Sequence, residues 1–292
     1  MAFSDILAKY KTLPQWQLDA LDIVGRELVE RNRVMNLTAI TDERGVALMH
    51  FYDSIIPLST GYFTPGARVL DIGCGVGKYG VMLADLGCDV TLTDISPEML
   101  RHAEVNMAAF TSPWRCFACD FHEISGQEPA FAQGFDFSFS TMSPAIHDAD
   151  TVRKMSGMTR GWCFLSCFTA WQQPLRDAVL RRAGLEPRPQ FSDPAADCAA
   201  LQAAVTAAGF HPQVQVVDYA WEDRRSPEDM ADYLLRHSFD DREDRAALAG
   251  RLADAARSLC GSDGTVNDRV ETKVAWIYWD ARLSSGVKEE KA

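Results

Sequence analysis

The sequence predicts an α/β fold, a parallel sheet with helices on both faces. Short apolar runs alternate with helical segments from Val69 onward, a glycine-rich loop directly follows the first run, and the next helix opens on Ser96-Pro97-Glu98. Alternation of this kind is the pattern of a sheet buried on both sides by crossover helices. With 292 residues, 47% of them hydrophobic, the chain is long enough to bury a substantial core.

Two helices are expected ahead of the sheet. Leu18, Leu21, Val24, Leu28 and Val29 recur at helical spacing within Trp16 to Met35, and a second helix is expected over 43–58. The first strand is Val69 to Ile72, followed by a helix over Lys78 to Leu86 and a strand over Val90 to Thr93. Ser96 then supplies an N-cap, Pro97 an N1 proline and Glu98 a first-turn acid for a helix reaching about Ala108. The third, fourth and fifth strands are read at Arg115 to Ala118, Phe135 to Ser140 and Gly161 to Cys167. A proline-containing stretch from Gln172 to Pro194 precedes a helix over 195–208 and a strand over Gln213 to Tyr219. Ser226-Pro227-Glu228-Asp229 is a capping box that opens helices reaching about Leu259, and "ETKVAWIYW" supplies a seventh strand.

The loop "RVLDIGCGVGKYG", residues 68–80, holds two overlapping signatures. Gly75-x-Gly77-x-x-Gly80 is a dinucleotide fingerprint, and Asp94 stands about 20 residues on, where such a site places its ribose-binding acid. Spacing therefore does not separate a nicotinamide oxidoreductase from the alternative. Asp71 does: a carboxylate at the strand end repels a pyrophosphate and attracts a cationic cofactor. Asp120, after the third strand, offers an acceptor for an exocyclic amine, and the C-terminal order departs from a second mononucleotide-binding half.

Read from Asp71, the loop is Asp71-x-Gly73-x-Gly75-x-Gly77, and from about Arg68 to Trp279 the chain resembles the class I S-adenosylmethionine (SAM) dependent methyltransferases. The resemblance implies a Rossmann-like seven-stranded sheet with an antiparallel last strand, and SAM as cofactor, with S-adenosylhomocysteine as its product. It implies Asp71, Gly73, Cys74, Gly75 and Gly77 around the methionine part, Asp94 at the ribose, Asp120 and Phe121 at the adenine, and Ile95 and Ser140 as further cofactor-binding residues. A second resemblance covers the front of the chain. "NLTAI" at 36–40 and "HFYDS" at 50–54, ahead of the glycine loop, are similar to the glucose-inhibited division B family of bacterial small-subunit ribosomal RNA guanine-N7 methyltransferases. The loop departs from that family at Cys74, where Thr is typical, and at Lys78-Tyr79, where Phe-Pro is.

The implied organisation is an N-terminal helical cap over 1–60, a methyltransferase domain over 61–284 with a helical insertion at about 221–260, and a charged tail over 285–292. The resemblance implies that the segment after the fourth strand faces the transferred methyl, and here it reads "STMSPAIHD", 140–148. The Asn/Asp-Pro-Pro-aromatic pattern of many nucleic-acid amine methylases is missing at Ser143-Pro144-Ala145. His147 and Ser143, with His50 and Asp53 from the cap, are the candidate catalytic residues, and Tyr79 is a candidate cover for the cofactor. Phe168, Trp171, Trp221 and Tyr233 are candidate pocket linings under a roof built from the insertion.

Cys116-x-x-Cys119 supplies only two ligands of a structural zinc, with no second pair at suitable spacing, so no metal is expected. The eight cysteines are read as reduced, and the chain as cytoplasmic, with no apolar run near the ~18 residues of a membrane helix. A net charge of -12 disfavours nucleic acid as partner. A small-molecule methyl acceptor is the expected substrate, ribosomal RNA the alternative, and a non-catalytic SAM-binding protein the reading from another class.

Overall fold

A computed structural model describes residues 63–125, 131, 134–239 and 245–283, together with Arg26. Apart from Arg26, the two expected N-terminal helices lie outside the described residues, as do His50, Asp53 and the tail after residue 283. The chain divides into two compact units. One holds the chain through Phe168, Ala195–Val217 and everything from Val274 on; the other holds Thr169–Pro194 and Asp218–Lys273.

The strands are β1 (Arg68–Ile72), β2 (Asp89–Asp94), β3 (Trp114–Ala118), β4 (Phe135–Thr141), β5 (Thr159–Gln172), β6 (Gln213–Arg225) and β7 (Val266–Asp280), in sheet order β3-β2-β1-β4-β5-β7-β6. The five strands from β3 to β5 in that order are parallel, with Asp71 of β1 opposite Leu92 of β2 and Phe139 of β4. Hydrogen bonds join Gly161 to Ala281 and Ala170 to Thr272, so numbering rises along β5 as it falls along β7, and the last strand is antiparallel. The chain leaves β1 towards β2 and β3, then returns to β4 on the other side of β1. That reversal opens a crevice beyond the carboxyl ends of β1 and β4, where open α/β sheets bind ligands.

The helices are α1 (Lys78–Asp85), α2 (Pro97–Met107), α3 (Ala149–Gly157), α4 (Pro174–Arg182), α5 (Pro194–Ala207), α6 (Pro227–Ser238) and α7 (Arg245–Arg257). The expected Ser96 cap is present, its hydroxyl accepting from Met99 N at 3.3 Å with Pro97 in the first turn. Leu70, Ile72, Val152, Met155, Leu165, Val205, Ile277 and Trp279 belong to the core of the first unit. Trp279 satisfies its indole there by donating to Ser156 Oγ at 2.9 Å.

In the second unit α4, α6 and α7 pack around Val179, Leu180, Met230, Leu234, Leu248 and Leu252. Three expectations from sequence shift here. The stretch from Gln172 to Pro194 contains α4, because Pro174 stands in the first turn, where its missing N–H costs nothing. Trp221 lies on β6, which runs on to Arg225, and the helices begin at Pro227. Strands β5 and β7 are likewise longer than the apolar runs that announced them. No helix among the described residues is long and apolar enough to cross a membrane.

Candidate active site

The glycine loop between β1 and α1 is shaped by three residues with positive φ: Gly73 at 73°, Gly75 at 54° and Gly77 at 76°. Gly73 also needs the missing side chain for space, since a Cβ there would stand 2.0 Å from Ser143 Oγ. The loop is fastened from several sides. Gly73 N and Cys74 N donate to Thr93 O at 2.8 and 2.9 Å, and Asn106 of α2 donates to Val76 O at 2.9 Å. Gly80 lets α1 close on β2; a Cβ there would meet Leu92 Cδ2 at 2.6 Å. Gly80 thus packs helix against strand, as the third glycine of a dinucleotide loop also would.

Asp94 ties this loop to the next helix. One carboxylate oxygen accepts from Gly75 N and the other from Ser96 N, each at 2.8 Å. Nothing in the sequence showed that the acid at the end of β2 also braces the loop of β1. Each oxygen keeps acceptor capacity for a second donor.

Asp71 is almost completely buried at the end of β1, and its two carboxyl oxygens have no hydrogen-bond partner among the described residues. Burial, and then the neighbouring Asp94 charge, push its pKa well above the ordinary carboxylate range. A buried carboxyl left without a donor is costly. It is relieved by a cation or a strong donor arriving beside it, which is the test that an ammonium-bearing cofactor meets and a pyrophosphate fails.

A cavity of about 270 Å³ opens at the strand ends, lined by Gly73, Thr93 to Ile95, Cys119 to His122 and Ser143 to Ala145. It gathers Gly73, Asp94, Ile95, Asp120, Phe121 and Ser143 from the sequence expectations. The lining holds two carboxylates and neither Lys nor Arg. Of the lining residues, Ile95 is 70% exposed and Phe121 is buried. Cys74, Gly75 and Gly77 belong to the adjoining loop; Ser140 is buried in the sheet with its hydroxyl given to Ile72 O at 2.8 Å. Tyr79 packs edge-on against Phe139, with ring centroids 5.8 Å apart.

Beyond β4 the chain is strained. Met142 has φ 50°, in the left-handed region that costs a non-glycine residue roughly 1–2 kcal/mol, and it stands immediately before Ser143. Strain of this kind collects at functional loops. His147 stands just ahead of the α3 cap, its ring tilted 35° to that of His122 with centroids 4.4 Å apart. No sequence signal linked these two histidines. Among the described residues no cysteine joins a set of three metal-ligating side chains, Cys116 and Cys119 included.

Phe168 falls in the first unit, and the other aromatic candidates in the second. There Trp171 packs edge-on against Trp221 and Phe191, while Tyr233 donates to Gln173 Oε1 at 3.3 Å under the Arg225 guanidinium.

Residues 69–160 match the profile of the methyltransferase domain family. Over that span the chain is similar to a methyltransferase domain. The matched span covers β1 to β4, the glycine loop and the cavity, and the acid-led reading of the loop agrees with it. The chain is similar to the ribosomal RNA small subunit methyltransferase G of Streptococcus agalactiae, 32% identical over 159 residues, which are 54% of this chain and 63% of that protein. A protein of the same name from Halalkalibacterium halodurans is 50% identical over 66 residues, 23% of this chain and 28% of its own. The chain thus spans less than two thirds of the length of these relatives. Among solved structures, the magnesium protoporphyrin IX methyltransferase of Synechocystis with bound S-adenosylhomocysteine is 18% identical, with a TM-score of 0.45, covering 69% of this chain and 93% of that one.

Proposed function

We propose that the protein is a SAM-dependent methyltransferase acting on a small-molecule acceptor. The observation that carries the cofactor half of this reading is the buried, unpartnered Asp71 carboxyl, two residues before the Gly73 that lines a cavity whose lining is acidic and lacks Lys and Arg. Such a site suits a cofactor bearing an ammonium and a sulfonium and repels a dinucleotide. SAM supplies an activated methyl group when bound. Asp71 would take the ammonium side, the backbone of Gly73 to Gly77 the methionine chain, and Asp94 the ribose hydroxyls; Ile95, Asp120 and Phe121 would hold the adenine. What remains for the chain is to align the acceptor, exclude water and accept a proton where the acceptor carries one. Ser143 and His147, on the segment after β4, are the groups available for that.

A small acceptor is supported by the net charge of -12 and by the Ser143-Pro144-Ala145 sequence, which offers neither an amine acceptor nor a ring to stack a flipped base. A second reading, methylation of ribosomal RNA, is favoured by the names of the Streptococcus and Halalkalibacterium relatives. The experiment is transfer of labelled methyl from SAM into a low-molecular-weight cell extract and into purified small ribosomal subunits, at low and high salt. Label in the small-molecule fraction is expected. Label confined to ribosomal RNA and abolished by salt would transfer the function to the second reading. In parallel, S-adenosylhomocysteine should raise the thermal midpoint while NAD should not, since a ligand of the native state stabilises it by mass action. The opposite pattern would remove the cofactor assignment.

A further inference from the structure

We propose that His122, His147 and Asp148 form a binding site for one divalent transition-metal ion of the zinc or cobalt type, at the rim of the cofactor cleft. Each side chain offers a ligand atom that lies within 4.8 Å of the other two. His122 Nε2 is 3.2 Å from His147 Nδ1, and His147 Nε2 is 3.8 Å from Asp148 Oδ2. Ligands of a tetrahedral zinc, at bonds of about 2.0–2.1 Å, stand about 3.3–3.5 Å apart; His147 Nε2 and Asp148 Oδ2 are close to that separation, and His122 has to bring its Nε2 round from the Nδ1 side of His147. His122 lines the cavity itself, three residues of the same wall coming from Ser143 to Ala145 just before His147.

Three features prepare the side chains for this task. His147 Nδ1 lies 3.1 Å from Pro144 O, and a proton donated there leaves Nε2 as the metal-binding nitrogen, the arrangement that fixes the tautomer of a ligating histidine. Asp148 divides its oxygens: Oδ1 accepts from Thr151 N and Thr151 Oγ1, both at 2.8 Å, while Oδ2 faces His147. Those hydrogen bonds from Thr151 fix the carboxyl in place. Lys154 donates to the carbonyls of Phe121 and His122 and anchors the backbone that carries the first ligand. Its ammonium is bound to those carbonyls and not to the Asp148 carboxylate. Side chains of His147 and Asp148 are about half exposed, so an ion reaches them from solvent. His122 Nε2 rests beside His147 Nδ1, and a side-chain rotation at the surface carries it to the ion. Three protein ligands leave a position for water or an incoming oxygen or nitrogen donor, as in open zinc sites.

The site stands on these side chains, independent of which acceptor is methylated. Its test is direct binding of zinc, by competition with a chromophoric chelator, and of cobalt, by visible absorption, to the full chain freed of metal. The variants are His122→Ala, His147→Ala and Asp148→Asn; the last keeps the helix cap, because Asn is as good an N-cap as Asp. We expect one equivalent of zinc with at least about a tenfold loss of affinity in each variant, cobalt absorption of low-symmetry nitrogen and oxygen coordination, and unchanged circular dichroism. Equal affinity in all three folded variants, thiolate-to-cobalt charge transfer, or no binding at micromolar zinc would overturn the proposal. A variant that loses circular dichroism is replaced by His147→Gln, read in the same way.

Discussion

Asp71 sets binding against stability at a single residue. Burial first, and the Asp94 charge second, raise its folded pKa above the unfolded value of about 3.9. A raised carboxyl pKa contributes stability that is fully present below the unfolded pKa and is lost as pH rises through the folded one. Asp71→Asn removes this penalty. In the ligand-free protein it should raise the thermal midpoint, by about 2–4 °C for each 1 kcal/mol recovered, and by more at pH 8 than at pH 5. The same change removes the charge that an ammonium would meet, so SAM affinity should fall about 10- to 100-fold, the worth of one charged hydrogen bond. Thermal scans at two pH values and calorimetric titration check both halves. A variant destabilised at every pH would mean that Asp71 has a structural partner and not a ligand-binding role.

At the scale of elements, the glycine loop separates two costs that usually come together. Gly73 and Gly75 both have positive φ, but a Cβ at Gly75 meets nothing within 4 Å, whereas one at Gly73 meets Ser143 Oγ at 2.0 Å and Cβ at 2.7 Å. Gly75→Ala should therefore cost only the backbone term, roughly 1–2 kcal/mol, and Gly73→Ala distinctly more. Adding Ser143→Gly to Gly73→Ala should return the cost to that of Gly75→Ala; urea denaturation of the three variants and the parent protein measures it. No rescue would mean that the loop relaxes away from the segment after β4. Much of this loop was legible in the sequence, because glycines after an apolar run and Ser96-Pro97-Glu98 are local signals with local causes. What was not legible depended on chain segments meeting. Pro174 looked like an interruption and begins α4, since position within the first turn decides what a proline does. Asp94 was readable as a ligand-binding acid but not as the brace of Gly75, and His122 and His147 meet only because β3 and β4 end at the same edge of the crevice.

At the scale of the whole molecule, the cysteines report whether the native state is intact. All eight are free thiols. Burial pushes Cys88 and Cys116 up to about 11 and Cys163 and Cys167 up to about 12, far from the thiolate that alkylation requires. At pH 8 these four should resist iodoacetamide in the native protein and react fully in urea, as read by mass spectrometry. Rapid native alkylation of Cys163, which is wholly buried, would show that the β5 region opens on a short timescale.

The first unit draws its core from distant parts of the chain: Leu70 and Ile72 come from β1, and Ala275, Ile277 and Trp279 from β7. Between them the chain enters and leaves the second unit twice. A polypeptide emerging from the ribosome therefore exposes the apolar wall of β5 until more than a hundred further residues have been made and β7 has been released beside it. During that interval the nascent chain carries a half-covered hydrophobic sheet, the kind of surface that chaperones hold. The second unit, built from α4, α6 and α7 with β6 from Asp218 on, is synthesised within the same interval, so translation speed across residues 169–273 sets how long the unfinished sheet must wait for its last strand.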